Sequence, residues 1–526
     1  MTLLCSICRA PAAQRCSGCQ QVGYCGRDHQ RQDWKAQHRH QCRRFKVVRS
    51  ERLGRHLVAT RSIRQGEIIY RDTPYAVGPK IANVPVCLGC NRNLVPLLTN
   101  TVQRFYECTQ CGWPLCGNGC EGADQHRVEC GVLSGSGYRP NIRPHPADPE
   151  RRESAYCVIV PLRVLLLERT APEKYAEIER FESHLEQRLA SPLYGVLRSN
   201  LVPFVRSVLG LRQYSEDMIL KVSAILDTNC YEIRQPLVKV RALYPLGAML
   251  SHDCVPNTKH YFDDRLGMVL VATIDIPEGA VINVSYTQPL LGTLQRRLAL
   301  RQAKCFDCSC DRCTDPTEFG THVGGFRCPS CQQRIKVPKA TGCDWVIPSD
   351  PASYRTDWRC QNRKCTYQEP AQEYARRCEK LQAELLALDR TEPDDYEAFL
   401  VRHEPILHGW NAYVLQAKYA LTQLLAGRRE QAPNDAPARR LVDLCRDLLG
   451  VAQKLEPGYG YFRTKLLLEL ANSLDGLRTR GVILSQEQQE YRSAREELER
   501  IAKTDPTVKV NPIPSPDYNP SVVNQP

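Results

Sequence analysis

Nowhere in its 526 residues does the chain have a run of about 20 apolar residues, the length a membrane-crossing helix requires. The first ten residues, MTLLCSICRA, lack the charged n-region and long apolar core of a secretory signal. No basic localisation run stands clear of the charges around the N-terminal cysteines, so the expected compartment is the nucleus and/or the cytoplasm. From these absences no membrane-crossing helix, no membrane partner and no oxidising compartment are expected. Composition is not extreme either: 42% hydrophobic and 25% charged residues are the proportions of a folded globular protein. The chain is longer than one hydrophobic core usually serves, so several domains are expected.

What the chain has in excess is cysteine. There are 27, mostly in C-x2-C pairs interleaved with histidines. Without a secretory signal, that mixture reads as zinc ligation rather than a disulfide framework. Residues 5 to 42 offer eight ligands in four pairs: Cys5/Cys8, Cys16/Cys19, Cys25/His29 and His38/Cys42. A segment this short buries too little apolar surface to fold alone, so two zinc ions must supply the folding energy. His40 is a spare, expected on the surface. Residues 87 to 130 repeat the arrangement with Cys87/Cys90, Cys108/Cys111, Cys116/Cys120 and His126/Cys130. Further on, Cys308, Cys310 and Cys313 supply three thiolates and leave one tetrahedral corner open, for which Cys254 is the candidate. Cys328/Cys331 and Cys360/Cys365 read as a zinc ribbon, with Cys343 between them a possible substitute ligand.

Between these clusters the hydrophobic period changes. Residues 45 to 80 alternate apolar and polar side chains around Gly54 and Gly66, which predicts short strands joined by turns. Residues 131 to 145 read as a loop. Residues 155 to 230 carry four helical stretches, one of them EKYAEIERFESHLEQRL with a structural His184 inside it, and another starting at Ser215. From Ala371 to about Lys503, five amphipathic segments predict helical hairpins. The third has Leu441, Leu444, Cys445, Leu448, Leu449, Ala452 and Leu455 as one core stripe. The Pro-rich tail after Thr504 is expected to be disordered. Net charge is +13 and is concentrated between Arg27 and Arg55, where ten Lys/Arg face only Asp28, Asp33 and Glu51. Such a stripe is either a solvated face or a surface for an acidic partner, with weak nucleic-acid contact as a lesser option.

Two motifs carry the identity: LSHDCVPNT at Leu250 to Thr258 and VINVSYT at Val281 to Thr287. With KCFDCSCDRC at Lys304 to Cys313, they resemble the catalytic half of a SET-domain lysine methyltransferase and its cysteine-rich post-SET segment. Residues 5 to 42 resemble a MYND zinc finger. A second finger of that type, inserted after the first SET strands, is the hallmark of the Smyd (SET and MYND) family. The extra finger ahead of the SET domain resembles its arthropod-specific branch. The resemblance implies an α+β multidomain fold: a β-rich SET domain split by a MYND finger and a helical insert, an extra N-terminal MYND finger, a zinc-binding post-SET segment and a C-terminal all-α helical-hairpin domain. The expected boundaries are 1–44, 45–86, 87–130, 131–235, 236–303, 304–320, 321–370, 371–504 and 505–526.

The resemblance also implies S-adenosylmethionine as cofactor beside Zn2+, and a histone or non-histone protein lysine as substrate. Tyr286 would orient the amine, Gly54 would belong to the cofactor loop, and His252 and Phe306 would lie against the adenine. Interleaved wiring would give Cys5, Cys8, Cys25 and His29 one zinc, and Cys16, Cys19, His38 and Cys42 another. The fingers would take Pro-rich peptides, linking the chain to transcriptional regulation. Three positions depart from the family pattern: Ser251 for asparagine, His56 for the second loop glycine and Lys304 for tyrosine. They keep open the alternative of a weak or silent SET scaffold acting as a co-repressor adaptor.

Overall fold

The computed structural model describes residues 3–16, 22–38, 42, 44–80, 82–97, 105–143, 145, 148, 151–235, 237–334, 344–429 and 434–510. Cys19, His40, Cys343 and the tail beyond 510 lie outside the described residues. Gly54 turns the chain at φ +62°, a backbone state that favours glycine. The alternating sequence around it forms an antiparallel pair, Phe45–Ser50 with Gly54–Ala59. This pair extends into a four-stranded sheet through Val281–Val284 and Ser251–His252. The last two strands pair in parallel, Ser251 opposite Asn283 and His252 opposite Val284. The sheet therefore brings the two signature motifs side by side.

Two three-stranded sheets complete the β-rich core. One orders Thr258–Phe262, Met268–Ala272 and Ile68–Asp72; the other orders Ala76–Pro79, Lys239–Leu243 and Tyr231–Arg234. Each combines strands from both sides of the finger and helical insert. The inserted finger is fastened from within: wholly buried Trp113 packs on Tyr156 at 5.7 Å, and the Tyr156 hydroxyl donates to the Val86 carbonyl. Arg163, on the buried helix Ile159–Thr170, donates to both Glu129 oxygens and to the Leu88 carbonyl.

The expected single helix around His184 is two short ones, Pro172–Ile178 and Leu185–Leu189. Phe181 dives into the core between them, and His184 stands at φ +52°, so it precedes a helix rather than lying in one. The C-terminal part holds six helices among the described residues instead of five. The one missed, Pro393–His403, begins at proline with Asp394 and Asp395 in its first turn, a start signal that was available. The stripe on Ala436–Leu455 is buried as expected, apart from half-buried Leu449.

The tail expectation needs correcting at its start. Asp505 is buried and pairs at 2.8 Å with Lys259 of the SET strand Thr258–Phe262, while Val508 and Val510 pack against the last helices. The same junction holds Tyr459, whose N–H donates to the Thr273 carbonyl at 2.9 Å. Gly458 sits at φ +69°, where an added Cβ would lie 1.9 Å from that carbonyl, so only glycine permits the approach. Asp505→Ala would leave Lys259 buried without its partner. It is expected to lower stability by about 3–5 kcal/mol, read as an earlier urea-unfolding midpoint.

Candidate functional site

The post-SET cysteines are assembled by a single turn. Cys310 precedes the short helix Asp311–Thr314, and the Cys313 N–H donates back to its carbonyl at 2.9 Å. Cys308, Cys310 and Cys313 converge with Cys254 from the SHDCVPN loop, all four buried. Cys254 Sγ lies 3.5 Å from Cys313 Sγ and 4.0 Å from Cys308 Sγ. Four sulfurs spaced at about 3.8 Å are the edges of a tetrahedron with Zn–S bonds of about 2.3 Å.

The surroundings test the metal independently. Arg296 and Arg312 are both fully buried, yet they share one carboxylate, Glu318, at 2.6 and 3.0 Å. Arg296 also donates to sulfur, through Nε to Cys254 at 3.2 Å and through Nη2 to Cys313 at 3.4 Å. Two buried guanidinium ions need more negative charge than Glu318 supplies. Four zinc-bound thiolates carry a net charge of about −2, which fits.

His252 links this cluster to Tyr286. The Tyr286 N–H donates to Nδ1 at 2.9 Å, so the proton of the neutral imidazole sits on Nε2, facing Cys254 Sγ at 3.3 Å. The Tyr286 hydroxyl donates to the Leu250 carbonyl, at the start of the same loop. Burial pushes the Tyr286 phenol up to about 12, although 38% of the residue remains exposed. Reciprocal bonds clamp the loop to its neighbouring strand, Asn257 N–H to Asn283 Oδ1 at 2.9 Å and Asn283 N–H to Asn257 Oδ1 at 3.0 Å.

Beside this centre opens a cavity of about 220 Å³ lined by Arg52, Leu53, Ser251, His252, Phe306 and Asp311, among others. It offers the Phe306 and His252 rings, a guanidinium and carboxylates, which suits a flat heteroaromatic ligand carrying charges of both signs. Arg52 and Leu53 line it, whereas their neighbour Gly54 does not. Neither does His56, which is 5% exposed and pairs across the strand with Val48. That departure therefore stays clear of the cavity. Ser251 and Phe306 do line it. Lys304 does not; its Nζ stands over the Tyr286 ring, 5.4 Å from the centroid.

The other ligand groups pair as their spacing and the family wiring imply. Cys5, Cys8, Cys25 and His29 converge; so do Cys87, Cys90, Cys116 and Cys120; Cys108, Cys111, His126 and Cys130; and Cys328, Cys331, Cys360 and Cys365. Cys16 and Cys42 lie 3.3 Å apart with His38 buried in the same finger, while Cys19 is outside the described residues. His126 turns Nε2 towards Cys111 at 3.7 Å, and its Nδ1 lies 3.5 Å from Glu129.

Sequence reasoning missed Arg296, Arg312, Glu318 and the Asn257/Asn283 clamp. It also missed buried Tyr70 and half-buried Tyr231, whose phenols burial pushes up. Nothing in local periodicity marks them. The basic stripe proves partly internal: Arg44 pairs with Glu67, and Arg55 lies over the Phe181 ring and donates to the Arg180 carbonyl.

Residues 5–42 match the MYND finger family, and residues 54–287 match the SET domain family. The "SET domain-containing protein SmydA-8, isoform B" of Drosophila melanogaster is 30% identical over 329 residues, covering 60% of this chain and 66% of that protein. "Histone-lysine N-methyltransferase ASHR1" of Arabidopsis thaliana is 26% identical, covering 52% of this chain and 57% of its own length. "N-lysine methyltransferase SMYD2" of Gallus gallus is 26% identical, covering 50% and 58%. The chain thus spans slightly under two thirds of the length of SmydA-8 and less of the other two.

Metal analysis of the purified protein is expected to return about six zinc ions per chain, four ligands to each. Cys313→Ser should remove one and lower the thermal midpoint. Cys305→Ser, outside the cluster, should change neither.

Proposed function

We propose that this chain, a member of the SET and MYND (Smyd) family, is an S-adenosylmethionine-dependent protein-lysine N-methyltransferase. The observation that carries the reading is the Tyr286 phenol, anchored on Leu250 and His252 beside a cavity walled by the post-SET segment. S-adenosylmethionine would supply an electrophilic methyl group on a cationic sulfur. Phe306 and His252 offer ring surfaces to its adenine, and Arg52 offers a cation to its carboxylate. Ser251, with a hydroxyl where the family has an amide, would forgo about one hydrogen bond, a cost of about 1–3 kcal/mol.

Tyr286 keeps its proton, because its pKa is pushed up to about 12. Its role is therefore to orient the amine and not to accept a proton, and the amine's proton leaves to water along the exposed side of the ring. The zinc cluster acts at one remove: it holds Cys254, Cys254 takes the His252 Nε2–H, and His252 holds the Tyr286 backbone.

The finer reading covers substrate and partner. Histone or non-histone lysines would be the acceptors. The N-terminal finger would recruit Pro-rich peptides, supported by its Trp34 ring, which stands 42% exposed beside His38. That combination suits transcriptional regulation in the nucleus and/or cytoplasm.

Calorimetry with S-adenosylhomocysteine is expected to show saturable binding by zinc-replete protein; none up to millimolar ligand would leave only the recruiting scaffold. Tyr286→Phe should lower methyl transfer by about 10²-fold while cofactor affinity stays unchanged. Unaltered transfer would remove Tyr286 from the mechanism.

A further inference from the structure

A site for an alkylammonium ion needs a carbonyl acceptor or aromatic face for the charge and an apolar sleeve for the methylenes. A carbonyl and an aromatic face meet beside Tyr286, and the chain's own Lys304 already occupies them. Lys304, the last residue of the helix Thr293–Lys304, donates from Nζ to the Thr228 carbonyl at 2.5 Å. Its Nζ also lies 5.4 Å from the Tyr286 ring centroid. Thr228 belongs to the last turn of the helix Glu216–Asn229, where carbonyls lack helical partners and the helix dipole is negative. Among the described residues no carboxylate forms an ion pair with Lys304. The nearby Asp227 is engaged with Arg241 at 3.3 Å and the Tyr194 hydroxyl at 3.1 Å.

The arrangement is braced on both sides. Arg188 donates to the Ala303 carbonyl and to the Thr228 hydroxyl, each at 2.9 Å, so one guanidinium ties the two helix ends together. At the other end of the Lys304 helix, Arg296 is locked onto the zinc cluster. Lys304 is thus held where it is by both neighbours, against a carbonyl and a ring of the kind an alkylammonium ion binds.

We propose that Lys304 is a resident occupant of the acceptor position at Tyr286, so that an external lysine binds only when the Lys304 side chain has left. This rests on the methyltransferase reading of the site. Two ammonium ions cannot share one carbonyl and one ring, because like charges a few ångströms apart repel strongly in a water-poor pocket. Lys304 therefore decides whether an outside lysine is admitted.

The probe is Nα-acetyl-L-lysine N-methylamide, titrated calorimetrically into full-length, zinc-replete protein without cofactor. Lys304→Ala and Lys304→Ser, each checked for zinc content and circular dichroism, are expected to bind it about tenfold or more tightly than the unsubstituted chain, the penalty of a site occupied most of the time. Lys304→Arg, which keeps a cation there, should stay closed. Equal affinity across the unsubstituted, Ala and Ser proteins, or no binding to any, overturns the proposal. Should both opening variants fail to fold, trace acetylation of Lys304 in the unsubstituted protein serves instead. Labelling should rise as the probe displaces the amine, and unchanged labelling at saturating probe overturns the idea. S-adenosylhomocysteine titrations of the same preparations keep the two readings apart. Absence of cofactor binding from all of them would fail the methyltransferase reading, while the lysine-probe result still judges Lys304.

Discussion

The contact on which the rest of the site depends is Arg296 against the Cys254/Cys308/Cys310/Cys313 cluster. A fully buried guanidinium is costly unless anions surround it, and here the anions are Glu318 and metal-bound sulfur. The cluster in turn needs the positive charge, because four thiolates around one dication carry an excess of about two negative charges. Each side makes the other tolerable in a dry interior. Cys254 sits two residues from His252, so the same charge balance sets where the SHDCVPN loop stands and, through His252, where Tyr286 stands.

This arrangement separates fold from chemistry. The zinc clasp, the Asn257/Asn283 exchange and the parallel pairing of Ser251–His252 with Val281–Val284 hold the loop through metal-site thiols, Asn side chains and backbone groups, even where the same residues, such as Asn283 and Cys308, also line the cavity. The Ser251 hydroxyl is not part of that holding, since the residue pairs with Asn283 in the parallel ladder. His56 illustrates the reverse: a substitution alarming in a linear motif is a buried strand residue whose Nδ1 meets its own turn carbonyl, away from the cavity. The C-terminal helices add a second fixed point, the Lys259–Asp505 pair and the Gly458 approach, which seat them on the strands flanking the site.

Much of the molecule was legible in order. Two fingers, strands around Gly54, a helical insert, a post-SET cluster and a helical C-terminal part each announce themselves by local spacing: C-x2-C, period two or period 3.6. The misreadings share one cause. The helix broken at Phe181–His184 looked continuous because its apolar spacing persists, and only packing of Phe181 into the core shows why the chain must turn. Asp505 looked like the start of a solvated tail because its partner, Lys259, lies 246 residues earlier (505 − 259).

Sequence alone determined the ligand types and the pairs within each cluster, because residues three or four apart are held together by local backbone geometry whatever the rest of the chain does. It also determined that the two signature motifs belong to one domain. Cys254 was named from sequence as the candidate fourth ligand, and the fold brings it to the other three cysteines; tertiary structure alone decided that Arg296 compensates them and that Lys304 stands over the Tyr286 ring. Those contacts join segments tens of residues apart, where hydrophobic periodicity carries no information. They depend on the sheet and the helix ends arriving together, which is why the loop at Leu250 to Thr258 identified the fold while the surroundings of Tyr286 had to be read from the folded chain.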